Sequence, residues 1–179
     1  MLWSDLYREI ADKLKGNPAL ADERPFIFVD AIRQQLHWIH VDAEDNRNYS
    51  ISTATNGIGN RVDSFKTPFG IHRIRQKIGG GEARGTIFEG REPVGRIAQD
   101  LDNREKDEIT SRILWLDGLE EGVNSGGAYD TYERYIYIHG TSDERRIGEP
   151  VSAGCIRMKN DDVIELFDEA MVDDIVLIR

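Results

Sequence analysis

The chain has a single cysteine, Cys155, so it can form no internal disulfide and supply no Cys-rich zinc site. It is also short of positive charge: 23 Lys and Arg stand against 33 Asp and Glu, for a formal net charge of -10. Nucleic-acid binding needs clustered cations that displace counterions from phosphates, so nucleic acid is excluded as a general partner. One or two local arginines still suffice for a small anion. Long apolar runs are missing too. Residues 1–10 carry Asp5, Arg8 and Glu9 among their apolar positions and lack the basic and hydrophobic regions of a signal peptide, and no segment approaches membrane-spanning length. The expectation is no membrane association and a cytoplasmic location, or a periplasmic one if the sequence is trimmed from a longer chain. His37, His40 and His72 fall in strand-like segments with no cysteine or carboxylate cluster at ligand spacing, so they read as ordinary strand residues and no metal is implied. The glycine loops at 56–60 and 79–81 lack a following Lys-Ser/Thr, so a phosphate-cradling loop is excluded and no cofactor is expected.

What is present is enough for one folded domain. Of 179 residues, 39% are apolar and 31% charged, a balance that suits a soluble core-forming protein. Trp3, Leu6, Tyr7, Ile10 and Leu14 recur at three- and four-residue spacing, which predicts an amphipathic helix ended near Gly16-Asn17-Pro18. Residues 1–25 therefore read as an N-terminal helical segment. Beyond it, short strands are predicted at 26–29, 35–41, 49–53, 71–78, 113–116 and 135–139, most of them separated by glycine-containing turns. Residues 90–110 are polar and read as an exposed insertion or mobile loop, with a lid beside an active site as the alternative. Residues 118–127 read as a rim loop. Asn160 is placed to cap a helix carrying Asp161 and Asp162 in its first turn and Val163, Leu166, Phe167 and Ala170 on one face, followed by a closing strand at 175–178. The fold class is mainly β with flanking helices.

Strand alternation through 135–139 sends Ile136 and Ile138 to one face and Tyr135, Tyr137 and His139 to the other. Sixteen residues after His139 comes Cys155, where the same alternation buries Ile156 and Met158 and aims Cys155 and Arg157 together. An ordinary thiol is only a few per cent thiolate at neutral pH, and a neighbouring imidazole that takes its proton raises the reactive fraction. His139 is the candidate base and Cys155 the candidate nucleophile. Small residues at Ala153 and Gly154 let backbone approach a ligand closely, so the amides there can face a developing oxyanion. Taken singly, a lone cysteine or histidine is more often a packing residue. The tyrosines Tyr129, Tyr132, Tyr135 and Tyr137 fit either a substrate groove or strand packing.

The conjunction is more specific than its parts. His139-Gly140-Thr141, then Ile147-Gly148, then Ser152, Gly154, Cys155, Ile156 and Arg157 resembles the signature of the YkuD-type L,D-transpeptidase family, and Ser52-Thr53 with Thr67-Pro68-Phe69-Gly70 extends the resemblance over residues 26–179. The resemblance implies a β-sandwich-like catalytic domain over 26–179. In it Cys155 attacks the diamino-acid carbonyl of a murein tetrapeptide and expels the terminal D-alanine through a thioacyl-enzyme. By the same resemblance His139 is the base, and the Gly154 and Cys155 amides form the oxyanion hole. Arg157 holds a substrate carboxylate or braces the loop, and Ser152, Gly140, Thr141 and Tyr137 support the site or touch substrate. It further implies that carbapenem-type β-lactams acylate Cys155. One position departs from the pattern: Ala153 stands where the family usually carries a second histidine, which leaves nucleophile and base in place but puts acceptor choice in question.

With no export signal in the sequence, soluble muropeptides and a water acceptor are expected, hence L,D-carboxypeptidase activity in murein recycling. The alternatives are cross-link formation with an amine acceptor and, from another class, a non-catalytic murein-binding protein.

Overall fold

The computed structural model describes residues 3–14, 24–40, 46–99 and 107–179. The apolar spacing near the N-terminus does give a helix, α1 (Trp3–Lys13), with Leu6 and Ile10 buried. The expected stop at Gly16-Asn17-Pro18 lies outside the described residues, as does Val41 at the end of the second predicted strand. Ten strands follow: β1 (Phe26–Asp30), β2 (Gln35–Ile39), β3 (Arg47–Ser52), β4 (Gly70–Ile78), β5 (Thr86–Glu89), β6 (Glu92–Ile97), β7 (Ile109–Gly118), β8 (Tyr137–Thr141), β9 (Ile156–Met158) and β10 (Ile175–Ile178), with a second helix α2 (Asn160–Glu169) before β10. The mainly-β expectation with flanking helices holds.

All ten strands belong to one sheet, in the order β4-β10-β1-β2-β3-β9-β8-β7-β5-β6. A further pairing of β4 with β7 brings the sheet back on itself, so opposed faces pack across one interior as the two layers of a sandwich do. Alternating residues from nearly every strand fill that interior, among them Ile27, Leu36, Ile51, Ile74, Leu114, Ile138, Ile156 and Val176, joined by Val163, Leu166, Phe167 and Ala170 of α2. At about 25 cal/mol per Å² of apolar surface, burying one such aliphatic side chain contributes about 2 kcal/mol, which is why the pattern dictates the strand faces. On another face Leu6 and Ile10 of α1 pack with Phe26, Ile39, Ile71, Ile175 and Leu177.

Two expectations are corrected. The polar stretch 90–110 is not one loop: Glu92–Ile97 forms β6 and Ile109 opens β7, while its most charged part, 100–106, lies outside the described residues. β6 is held by hydrogen bonds to β5 rather than by burial, and all six of its residues are at least partly exposed, so apolar alternation could not announce it. Second, Asn160 is not a side-chain cap of α2. Lys159 occupies the cap position, and the fully buried Asn160 amide instead accepts from Thr110 Oγ1 (2.6 Å) and Ser111 Oγ (2.5 Å) and donates to the Thr141 carbonyl (2.9 Å) and Glu144 Oε1 (2.6 Å).

Candidate functional site

Strands β8 and β9 lie side by side and parallel, in a register that sets Ile138 against Ile156, His139 against Arg157 and Gly140 against Met158. With a side-chain period of two, Ile138, Ile156 and Met158 enter the core, and Tyr137, His139 and Arg157 share the opposite face, where Cys155, from the turn just before β9, meets Tyr137. On the far side of β8, β7 places Ile113 opposite His139 and Trp115 opposite Tyr137. Cys155 packs against the apolar group made by Phe88, Ile113, Trp115 and Tyr137. The residues singled out in the sequence therefore meet on one surface.

The turn that delivers Cys155 is fixed by its own polar groups. Ser152 Oγ donates to the Cys155 carbonyl at 2.6 Å and accepts the Gly154 amide at 3.2 Å, so this amide is engaged within the turn. Thr67 Oγ1, from the Thr-Pro-Phe-Gly segment, donates to the Gly154 carbonyl at 2.9 Å and accepts the Ala54 amide at 2.9 Å. Gly154 has φ 138°, a region other residues rarely adopt, and a Cβ there would lie 3.2 Å from Ile136 Cδ1. Gly140 is required for a different reason: a Cβ would come within 2.6 Å of the Thr110 carbonyl oxygen and 2.8 Å of Asn160 Oδ1.

His139 is buried, with 2% of its surface exposed. Its Nδ1 lies 2.7 Å from the Gly140 carbonyl oxygen, which can only accept, so Nδ1 carries the proton and the Nε2 lone pair is left to act as a base. Burial lowers the imidazole pKa, Asp107 and the Gly140 carbonyl raise it, and Arg157 lowers it, with burial dominant. Burial likewise pushes the Cys155 thiol up to about 11, against the opposing effects of the Tyr137 amide, Arg157 and Arg134. The thiol donates to the Tyr135 carbonyl at 3.5 Å and accepts the Tyr137 amide at 3.4 Å. Both groups are thus held neutral, and burial disfavours the charged form of each.

Asp107 organises this face and was visible in the sequence only as one charge in a polar run. Its Oδ2 lies 2.5 Å from Arg157 Nη2, and its Oδ1 accepts from Thr141 Oγ1 at 3.0 Å. Of the two roles expected for Arg157, the structure displays bracing: the side chain is 7% exposed and its charge is met by Asp107. Arg134 is occupied as well, donating to the carbonyls of Gly59, Asn60 and Lys66 at 3.2, 3.0 and 2.6 Å.

The tyrosines divide. Tyr132 stacks on Trp115 with centroids 4.1 Å apart, and Tyr137 meets the same ring edge-on at 5.5 Å. Tyr135 stays half exposed. The 118–127 stretch spends its main polar groups on scaffolding: Glu120 Oε2 accepts the Ile71 amide at 2.7 Å, and the buried Asn124 amide donates to the Phe69 and Ile71 carbonyls at 3.2 and 3.0 Å. His72, buried in β4, lies 3.0 Å from the Gly70 carbonyl and 3.1 Å from Thr131 Oγ1, as a strand histidine with its own partners would. Beside the Cys155 turn a cleft of about 280 Å³ opens between Val62, Phe65, Tyr135 and Ala153, with Asp63 and Glu133 also in its lining.

Comparison with known proteins bears on the family and the fold. The family model described as YkuD, L,D-transpeptidase catalytic domain, matches residues 24–178. The putative L,D-transpeptidase YkuD of Bacillus subtilis is 48% identical over 48 residues, which is 24% of this chain and 29% of that protein. Among solved structures, an L,D-transpeptidase from Mycobacterium smegmatis superposes with a TM-score of 0.53 at 17% identity, over 87% of this chain and 58% of the other. L,D-transpeptidase 3 from Mycobacterium tuberculosis, in complex with a faropenem-derived adduct, gives 0.53 at 13% identity, over 87% and 60%. At these identities the structural likeness is one of fold, and each match spans less than two thirds of the relative.

Proposed function

Since the chain belongs to the YkuD L,D-transpeptidase catalytic domain family, we propose that it is a cysteine acyl-transfer enzyme acting on peptidoglycan stem tetrapeptides, with water as the favoured acceptor. The observation that carries this reading is the parallel β8–β9 register, which puts His139 and Arg157 on one face beside the turn that holds Cys155, with no hydrogen bond to the His139 Nε2 among the described residues.

In the proposed reaction His139 Nε2 takes the Cys155 proton as sulfur attacks the carbonyl carbon of the diamino-acid residue. A half-buried thiol whose pKa is pushed up to about 11 is poorly ionised at rest, so proton transfer accompanies attack rather than preceding it. The tetrahedral oxyanion forms beside the Cys155 and Gly154 amides, with the Gly154 amide exchanging Ser152 Oγ for the oxyanion. The C–N bond then breaks, the imidazolium proton passes to the leaving amine, and D-alanine departs from a thioester on Cys155. Water, deprotonated by the same Nε2, attacks the thioester and returns the thiol. Asp107, whose carboxylate raises the His139 pKa, favours the transient imidazolium. Ser152, Gly140 and Thr141 position these groups, and Tyr137 supplies a wall of the site.

Support for water over an amine comes from the cleft beside Ala153. Asp63 and Glu133 make no ion pair among the described residues, and although Arg134 also lines the cleft, the two carboxylates outnumber it and favour the ammonium form of an approaching amine, which is not nucleophilic. Cross-linking remains the rival reading, favoured by the room left by Ala153. By analogy with a solved L,D-transpeptidase in complex with imipenem, a carbapenem, and with the M. tuberculosis relative carrying an adduct derived from the penem faropenem, β-lactams of the carbapenem type are proposed to acylate Cys155.

The test is mass spectrometry of a disaccharide-tetrapeptide incubated with the protein, with and without an amine acceptor. Loss of one alanine without acceptor supports the carboxypeptidase reading. A joined product that appears only with acceptor replaces it with transpeptidation. No change in either, with Cys155→Ala binding as tightly as wild type, replaces both with a murein-binding role.

A further inference from the structure

Resting on the reading above, the expelled residue is an amino acid with a free carboxylate. In an extended D-alanine that carboxylate lies about 5 Å from the attacked carbon, at the limit of three covalent bonds and an oxygen. A site that takes such a substrate places a cation there, and two arginines close enough to bear on Cys155 are already spent: Arg157 on Asp107, and Arg134 on three backbone carbonyls.

Arg91 differs from both. It sits at the tip of the β5–β6 hairpin, whose two central residues, Gly90 and Arg91, have φ of 55° and 74° between the paired Glu89 and Glu92. Positive φ at both positions is the pattern of a primed two-residue turn, in which glycine or asparagine is the unstrained choice and a long side chain costs about 1–2 kcal/mol. Strain of this kind persists where the side chain is needed in place. The guanidinium is directed over the aromatic group against which Cys155 packs: its carbon lies 4.7 Å from the Trp115 centroid and 5.1 Å from that of Tyr135, and Nη1 donates to Tyr137 Oη at 3.2 Å. No carboxylate of the described residues pairs with it, which leaves its other N–H groups for a ligand. Tyr137 links the two ends, its amide on the Cys155 sulfur and its hydroxyl on Arg91.

We propose that Arg91, held over Trp115 and Tyr135 by the β5–β6 hairpin, binds the terminal carboxylate of the stem peptide and so selects stems that end in a free acid at the residue to be expelled. A planar guanidinium stacked on rings keeps its edge available for bidentate contact with a carboxylate.

The experiment compares a tetrapeptide stem with its C-terminal carboxamide, using wild type, Arg91→Gln and Arg91→Lys. Wild type is expected to prefer the acid, with Arg91→Gln lowering kcat/KM for the acid about 10- to 100-fold and changing the amide less than about threefold, so that the preference collapses. Arg91→Lys should fall between them. The acid-to-amide ratio does not depend on the fraction of protein that is folded, so a destabilised variant still reports. A wild type indifferent to amidation, or Arg91→Gln with its preference intact, overturns the proposal. A wild type inert on both stems overturns instead the turnover reading. Equilibrium binding of the same acid and amide to Cys155→Ala, with and without Arg91→Gln, then decides on Arg91 by itself: loss of an acid preference with Arg91→Gln supports it, and equal affinities refute it.

Discussion

Arg157 Nη2 meets Asp107 Oδ2 at 2.5 Å, joining β9 to the segment that leads into β7. The same carboxylate accepts the Thr141 hydroxyl at the end of β8, so three strands around the candidate nucleophile and base are tied through one residue. Without Asp107, the 7%-exposed guanidinium of Arg157 would be a nearly buried charge with no counter-ion among the described residues.

Asp107→Asn should therefore destabilise the protein by about 1–3 kcal/mol, the lower part of the range for a broken buried pair because the Asp107 side chain is 40% exposed. Urea unfolding measures it. The variant should also shift activity with pH. Asp107 raises the His139 pKa, so its neutralisation lowers that pKa, and the acid limb of kcat/KM should move to lower pH. A limb that stays in place, or moves up, would mean that His139 is not the group being titrated.

The thiol makes a second prediction. With its pKa pushed up to about 11, roughly one Cys155 in 10⁴ is thiolate at pH 7, against a few per cent for a free cysteine. Alkylation by iodoacetamide should be roughly 300-fold slower than for free cysteine at pH 7 if it follows the thiolate fraction, and its rate should still be rising at pH 9.5. A plateau below pH 8 would instead indicate a resident thiolate–imidazolium pair.

Much of this site could be read from the sequence, because period-two alternation fixes which of Tyr137, Ile138, His139, Ile156, Arg157 and Met158 face the core, while Ile136 and Cys155 sit just before those strands. The rest depends on contacts between distant segments. Asp107 and Arg91 are single charges in polar stretches until β5, β7 and β8 pair, and nothing local distinguishes them from solvated neighbours. Asn160 hides its role for a related reason. An asparagine before Asp161 and Asp162 has the local look of a cap, and only the approach of Thr110, Ser111 and Thr141 from elsewhere in the sheet gives it other work. β6 is silent in the sequence because every one of its residues stays at least partly exposed.

His72 predicts a loss of stability in acid. Burial lowers its pKa from 6.5 to about 4, outweighing the Gly70 and Val176 backbone contacts that raise it. A depressed folded pKa means that the unfolded chain takes up the proton first, so stability is full above about pH 6.5 and is lost as pH falls toward 4. The loss from this group should be about 3 kcal/mol. Urea midpoints between pH 7 and 4 should fall in wild type and fall less in His72→Gln. His139, also lowered by burial, supplies part of the remaining slope. An equally steep fall in His72→Gln would remove His72 as a source.

Asn160 can be tested as a buried connector against the capping role its sequence suggests. A capping asparagine is replaced by serine or aspartate at little cost, since either offers the same acceptor. A connector is not, because Asn160 both accepts from Thr110 and Ser111 and donates to the Thr141 carbonyl and Glu144. Asn160→Asp loses the donor and sets a second carboxylate beside Glu144, while Asn160→Ala strands several buried partners at once. Both should cost about 2–4 kcal/mol by urea unfolding. The damage should also reach the base, because the Asn160 amide abuts Gly140, whose carbonyl holds His139 Nδ1. In Asn160→Ala, activity per folded molecule should therefore drop along with stability. Asn160→Asp with wild-type stability would restore the capping role and separate Asn160 from the site.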